Sequence, residues 1–211
     1  MFSTRLFVRV AVAGATATTV ALGGGPAQAQ APTTVAPEGA AIYATSQGPL
    51  TFTAGQLTVT CAESTQAINV PWSPDNHSDN GPVTLEAGPI YAESCATNLP
   101  GVTAYWPMFM GGWPIAVQSG APIAATMTIP DGVYIELRGA LKCIVNIAPN
   151  GPTSLPGTVA NGTPPTLTFD HASVPVKTTG SGCPTATTGS LTVTYGWVNS
   201  VDPAQQIIVS P

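Results

Sequence analysis

The segment PWSPDNHSDNG, residues 71–81, gathers two aspartates, two asparagines and His77. A calcium loop uses oxygen-bearing side chains at alternate positions, a glycine at the sixth and a bidentate acid at the twelfth. Counting from Asn76 puts Gly81 sixth but Ala87 twelfth, whereas counting from Asp75 puts Glu86 twelfth but Asn80 sixth. Neither frame meets both conditions. The candidate calcium ligands are therefore Asp75, Asp79 and Glu86, in a loop outside the EF-hand pattern. The competing reading is a solvated turn whose Pro, Asp, Asn and Gly serve backbone geometry. That reading asks for less coincidence, and no other cofactor is implied.

Catalysis has thinner support. His77 and His171 are the only histidines, and neither stands in a G-x-S-x-G or H-E-x-x-H frame. Asp170-His171 closes the run TLTFDH and needs only a nearby hydroxyl to complete a triad. A chain this rich in Ser and Thr offers such a hydroxyl by accident. Glu63, Glu86, Glu93 and Glu136 carry no context that would pair two of them across a glycosidase cleft. A non-enzymatic protein is the expectation, with a secreted hydrolase as the third choice.

Aromatic residues form the second candidate site. AYWPMFMGGWP, residues 104–114, supplies Tyr105, Trp106, Phe109 and Trp113 as candidate ligand-binding residues. Exposed, such a cluster marks a contact surface. Buried, it fills a core, with methionine adapting to irregular gaps.

These residues need elements to hold them. The chain begins with Arg5 and Arg9, an apolar run over 10–22 and Ala27-Gln28-Ala29, the pattern of a secretory signal over 1–29. Without that leader, three cations face ten carboxylates, for a net charge of −7 with neutral histidines. Nucleic acid is thereby excluded as an expected partner, because phosphate binding needs clustered Lys and Arg. Later segments carry no apolar run long enough for a spanning helix, so a secreted, extracellular protein is expected. Cys61, Cys95, Cys143 and Cys183 then read as two disulfides.

Residues 30–44 read as a flexible Pro/Ala/Thr linker. From 45 to 211 the apolar residues alternate or form short runs broken by Gly and Pro, which is strand patterning. The fold class expected is all-β, an antiparallel β-sandwich or barrel. Ala54-Gly55, Ala87-Gly88, Pro130-Asp131-Gly132 and Arg138-Gly139 read as its turns. SQGPLTFTAGQLTVTC and IPDGVYIELRGALKC share one order of turn, strand, glycine turn, strand and cysteine. This suggests similar halves, 45–125 and 126–211, with Cys61–Cys95 and Cys143–Cys183 as the pairing. Four cysteines permit three pairings, and the sequence leaves the other two open.

The leader ending AQA, LTFTAGQLTVTC, SVPVKTTGSGCPTATTGSLTVTY and the four spaced cysteines resemble secreted β-proteins of actinobacteria. The cysteine layout and the terminal QQIIVSP more distantly resemble the activator-of-alkane-oxidation (PraB-like) family. The resemblance implies an extracellular, non-enzymatic role in adhesion or in handling hydrophobic substrates, and it assigns no site residues. The expected partner is accordingly a cell surface, a glycan or a hydrophobic ligand. The alternative is a small-molecule carrier with an apolar barrel interior.

Overall fold

A computed structural model describes residues 30–107 and 111–211; the expected signal and Phe109 lie outside these residues. Alternation drives every long strand. In β4 (Leu57–Asn69) Leu57, Val59 and Cys61 point inward while Thr58 and Thr60 face out. In β15 (Thr188–Asn199) Leu191, Val193, Tyr195 and Trp197 are buried between outward threonines. β-Branched and aromatic residues suit such a half-buried pleated surface.

The shorter strands combine end to end. β2 (Ala41–Ser46) and β3 (Leu50–Ala54) follow one another between the same neighbours, β4 and β15. β6 (Val83–Ala87) and β7 (Tyr91–Thr97) likewise succeed one another along β4. β8 (Val102–Tyr105) pairs with β7 and β9 (Ile115–Gln118) with β6. β10 (Ile123–Ile129) then continues into β11 (Val133–Gly139), pairing with β9 and β8 in turn. β12 (Lys142–Ile147) and β13 (Thr153–Ala160) both run along β14 (Thr166–Ser181). β14 pairs with β15, and β15 returns to β2 and β3.

The described residues form eight antiparallel staves, 41–54, 57–69, 83–97, 102–105 with 115–118, 123–139, 142–160, 166–181 and 188–199. Each pairs with the next, and the last pairs with the first. This is an up-and-down β-barrel, a topology that leaves no free sheet edge. Its polarity is the reverse of a lipid-embedded barrel, whose outer face is apolar. Here the apolar side chains form one continuous interior cluster, and Thr and charged residues face out.

Several turns expected from the sequence are kinks within staves. Ala87-Gly88 separates β6 from β7 without reversing the chain. Gln66 Nε2 donates to Gly88 O at 2.8 Å, and Gly88 N donates to Ala67 O at 2.9 Å, which bind the kink to β4. Pro130-Asp131-Gly132 similarly separates β10 from β11 along one stave. Ala54-Gly55 is a true reversal, since Ala54 faces Leu57 and Gly55 takes a φ of +59°.

Both disulfides pair as the repeat suggested. Cys61 and Cys95 are direct cross-strand partners on β4 and β7. Cys143 of β12 reaches Cys183, just beyond β14. The two expected halves nevertheless share one core and one hydrogen-bond circuit, because 188–199 pairs with 41–54.

The stretch expected as a linker, 30–44, is built into the fold. β1 (Thr33–Ala36) is the middle strand of a small sheet between β16 (Ile208–Ser210) and β5 (His77–Ser78). Thr33 and Val35 are fully buried, so alternation in this Pro-rich stretch serves a strand. Asn161 clasps β16, donating from Nδ2 to Val209 O at 2.8 Å and accepting from Val209 N at 3.0 Å.

Candidate functional site

The loop 71–81 holds this small sheet together. Asn76 O accepts from Val35 N at 2.9 Å, and Asn76 Nδ2 donates to Val35 O at 3.2 Å. His77 Nδ1 lies 2.8 Å from Thr34 Oγ1, and its Nε2 lies 3.0 Å from Asp79 Oδ1. With its proton on Nε2, the ring donates to Asp79 and accepts from Thr34. That chain ties β1 to β5. Asp79 is 90% exposed, so water competes for its carboxylate.

Asp75, Asp79 and Glu86 do not converge. No group of three His, Cys, Asp or Glu side chains among the described residues is arranged to hold a metal ion. Glu86 instead faces out from β6 opposite Asn69. Asp75 and Asp79 belong to the loop that ties β1 to β5, while Glu86 belongs to β6.

His171 occupies a bulge in β14, where the register with β15 shifts between Phe169 and Ala172. Its φ is +46°, a region in which histidine is enriched among non-glycine residues. Its backbone N donates to Thr192 Oγ1 at 3.1 Å, and Asp170 Oδ1 lies 3.8 Å from Nε2. The bulge re-phases the strand: Leu167 and Phe169 point inward before it, Ala172 and Val174 after it.

The aromatic segment divides. Trp106 and Trp113 are buried, at 7% and 1% exposure, and meet Phe52, Ile90, Ile129 and Leu191 inside the barrel. Phe52 contacts Trp106 edge to face, with ring centroids 6.4 Å apart. What they enclose is a residual cavity of about 10 Å³, room for roughly one water. Tyr105 turns the other way and is 46% exposed.

Tyr105 leads to a surface that no sequence motif marks. The Arg138 guanidinium lies 4.3 Å from the centroid of the Tyr105 ring. Its Nη2 donates to Glu136 Oε2 at 2.6 Å. That hydrogen bond, helped by charge attraction, holds Glu136 below its ordinary carboxylate pKa and raises Arg138.

Strand register sets these residues among their neighbours. Tyr105, Glu136, Ile144 and Thr179 form one row across β8, β11, β12 and β14. Tyr134, Asn146 and Lys177 form the row on one side of it. Lys142 and Ser181 pair on the other side, beside Arg138. A groove of about 540 Å³ lies here, bounded by Arg138, Lys142, Ile144 and Thr179, with Gly139 and Gly180 in its lining. Neither glycine has room for a Cβ. One built on Gly139 would stand 2.2 Å from Gly101 O, and one on Gly180 2.2 Å from Lys142 O.

Comparison with protein-family models, curated proteins and solved structures finds no match to this chain. The surface is therefore read from its own chemistry. Arg138, Lys142 and Lys177 are all the cations of the described residues, and they lie on three adjacent staves. Only Arg138 among them has an ion-pair partner. The signal was present in the sequence as outward positions of an alternating pattern, but only strand register brings them together.

Proposed function

We propose that this chain is an exported, non-catalytic binding protein that meets its partner with the outside of its barrel. The observation that carries this reading is the filled interior. Pockets that take small molecules measure about 300–1,000 Å³, and the cavity beside Trp106 and Trp113 is about 10 Å³. A carried ligand would have to displace packed side chains. That weighs against the carrier reading.

Export is supported by two disulfides, which persist in oxidising compartments. No helix of the described residues is long and apolar enough to cross a membrane. His77 ties β1 to β5 through Thr34, and His171 occupies the β14 bulge, which favours a role without turnover.

The test is adsorption of fluorescently labelled protein to washed cells of its own host, with native mass spectrometry of the unlabelled protein. Saturable adsorption and an empty mass support the reading. A co-purifying apolar ligand would overturn it, as would substrate turnover abolished by His77→Ala or His171→Ala.

A further inference from the structure

We infer that the face carrying Arg138, Lys142 and Lys177, with the groove beside Arg138 and Lys142, binds an acidic glycan, one whose sugars carry carboxylates at intervals. The inference rests on the outward-facing binding role proposed above and names the ligand class.

Charge distribution carries the argument. With the leader set aside, Arg138, Lys142 and Lys177 share one face with Glu136, a local balance of +2. None of the other nine carboxylates has a Lys or Arg ion-pair partner among the described residues. Asp131 stands at the margin, lining a second groove together with Lys177 and Asn146. An anion approaching this barrel thus finds attraction on one face and repulsion over most others.

Spacing and composition narrow the class. Lys142 pairs with Ser181, and Lys177 lies four residues back along β14. At about 3.3 Å per residue and 4.8 Å between strands, the two Cα atoms are roughly 14 Å apart. That exceeds a Debye length of about 8 Å in physiological salt, so the cations act as separate anchors. Between them lie Ile144, Asn146 and Thr179, an apolar side chain beside hydrogen-bonding ones, with Tyr105 exposed at the edge. Sugar rings present both apolar faces and hydroxyls to such a floor.

A densely charged polyanion fits less well. Duplex DNA carries one charge per about 1.7 Å of its axis, and most of those charges would meet no cation on this protein. An anionic bilayer would likewise bring its charge against the acidic flanks. A chain of monocarboxylate sugars spaces its charges more widely than the duplex does.

The experiment is a titration of the purified protein with a polygalacturonate oligomer, followed by calorimetry at low and physiological salt. Dextran, a single-stranded oligonucleotide and phosphatidylglycerol vesicles serve as comparisons. Saturable binding of polygalacturonate that weakens with salt, and falls about tenfold or more in Arg138→Gln/Lys142→Gln, supports the inference. Lys142→Arg should retain binding, Glu63→Gln on the β4–β7 face should leave it unchanged, and near-UV circular dichroism should show each variant folded. Equal affinity for dextran, or an unchanged double variant, would overturn the inference. Tighter binding of the oligonucleotide or the vesicles would overturn the glycan assignment. Adsorption to cells without polygalacturonate binding would also overturn it, while leaving the outward binding role intact.

Discussion

Replacing Trp113 with alanine should turn a filled barrel into a hollow one. Trp113 is 1% exposed and packs beside Trp106, Phe52, Ile90 and Leu191, around a cavity of only about 10 Å³. Truncation would leave a void on the order of 150 Å³, the size of engineered apolar cavities that stay dry and take up benzene. Buried Trp→Ala changes cost about 3–5 kcal/mol, with a void term near 24 cal/mol per Å³. For a domain of this size each kcal/mol shifts Tm by about 2–4 °C, so a fall of roughly 10 °C is expected. The assay is thermal unfolding of the wild-type protein and the variant, each with and without indole. Indole at about ten times its Kd should restore about 1.4 kcal/mol to the variant and leave the wild type unmoved. Trp113→Phe should fall between the two. Indole stabilising the wild type as strongly as the variant would refute the reasoning, because the interior would then already hold usable space.

Other consequences follow from single contacts. Asn161→Ala should free the edge of β16, costing about 1–2 kcal/mol and accelerating hydrogen exchange at Val209, whose N–H it now engages. Gly139→Ala places a Cβ 2.2 Å from Gly101 O at a φ of +112°, so a loss of about 2 kcal/mol or more is expected in denaturant unfolding. Opening Cys143–Cys183 by paired serine substitution removes a link across 40 residues, a change worth about 2–4 kcal/mol by the same measurement. Tyr195 is buried, and its pKa is raised by desolvation, partly offset by the hydrogen bond from Ser64 Oγ at 3.1 Å. A raised folded pKa gives stability that is complete below the unfolded value near 10 and is lost as pH climbs above it. Phenolate absorbance should therefore show Tyr195 ionising only together with unfolding, and Tyr195→Phe should blunt the alkaline loss of stability.

Local chemistry was legible in the sequence where alternation speaks for itself. Leu57, Val59 and Cys61 in β4 and Leu191, Val193 and Tyr195 in β15 announce their inward faces. Comparing the two cysteine segments suggested the observed disulfide pairing and left the other two open. Chain direction was less legible: Ala87-Gly88 and Ala54-Gly55 look alike as dipeptides, yet one kinks a stave and the other reverses it. Glycine interrupts a strand ladder in both cases, and only the partners across the sheet decide the outcome. The 30–44 stretch misled for a related reason, since its Pro and Ala content hides the buried Thr33 and Val35. In the aromatic segment, composition could not assign faces; the fold buries Trp106 and Trp113 and turns Tyr105 outward beneath Arg138. The cationic surface depends on register between residues far apart in the chain, 39 positions in the case of Lys142 and Ser181. No local window contains it.

The central claim is that the outside of the barrel binds and the inside does not. It is tested most directly by following backbone amides and tryptophan indole N–H signals by NMR during titration with polygalacturonate. The indole groups of Trp106, Trp113 and Trp197 are buried and report on the interior. The account predicts shifts confined to the outer positions of 103–105, 134–146 and 177–181, with those three indole signals unmoved. Shifts centred on Trp106 and Trp113, with the Arg138 and Lys142 amides silent, would contradict it.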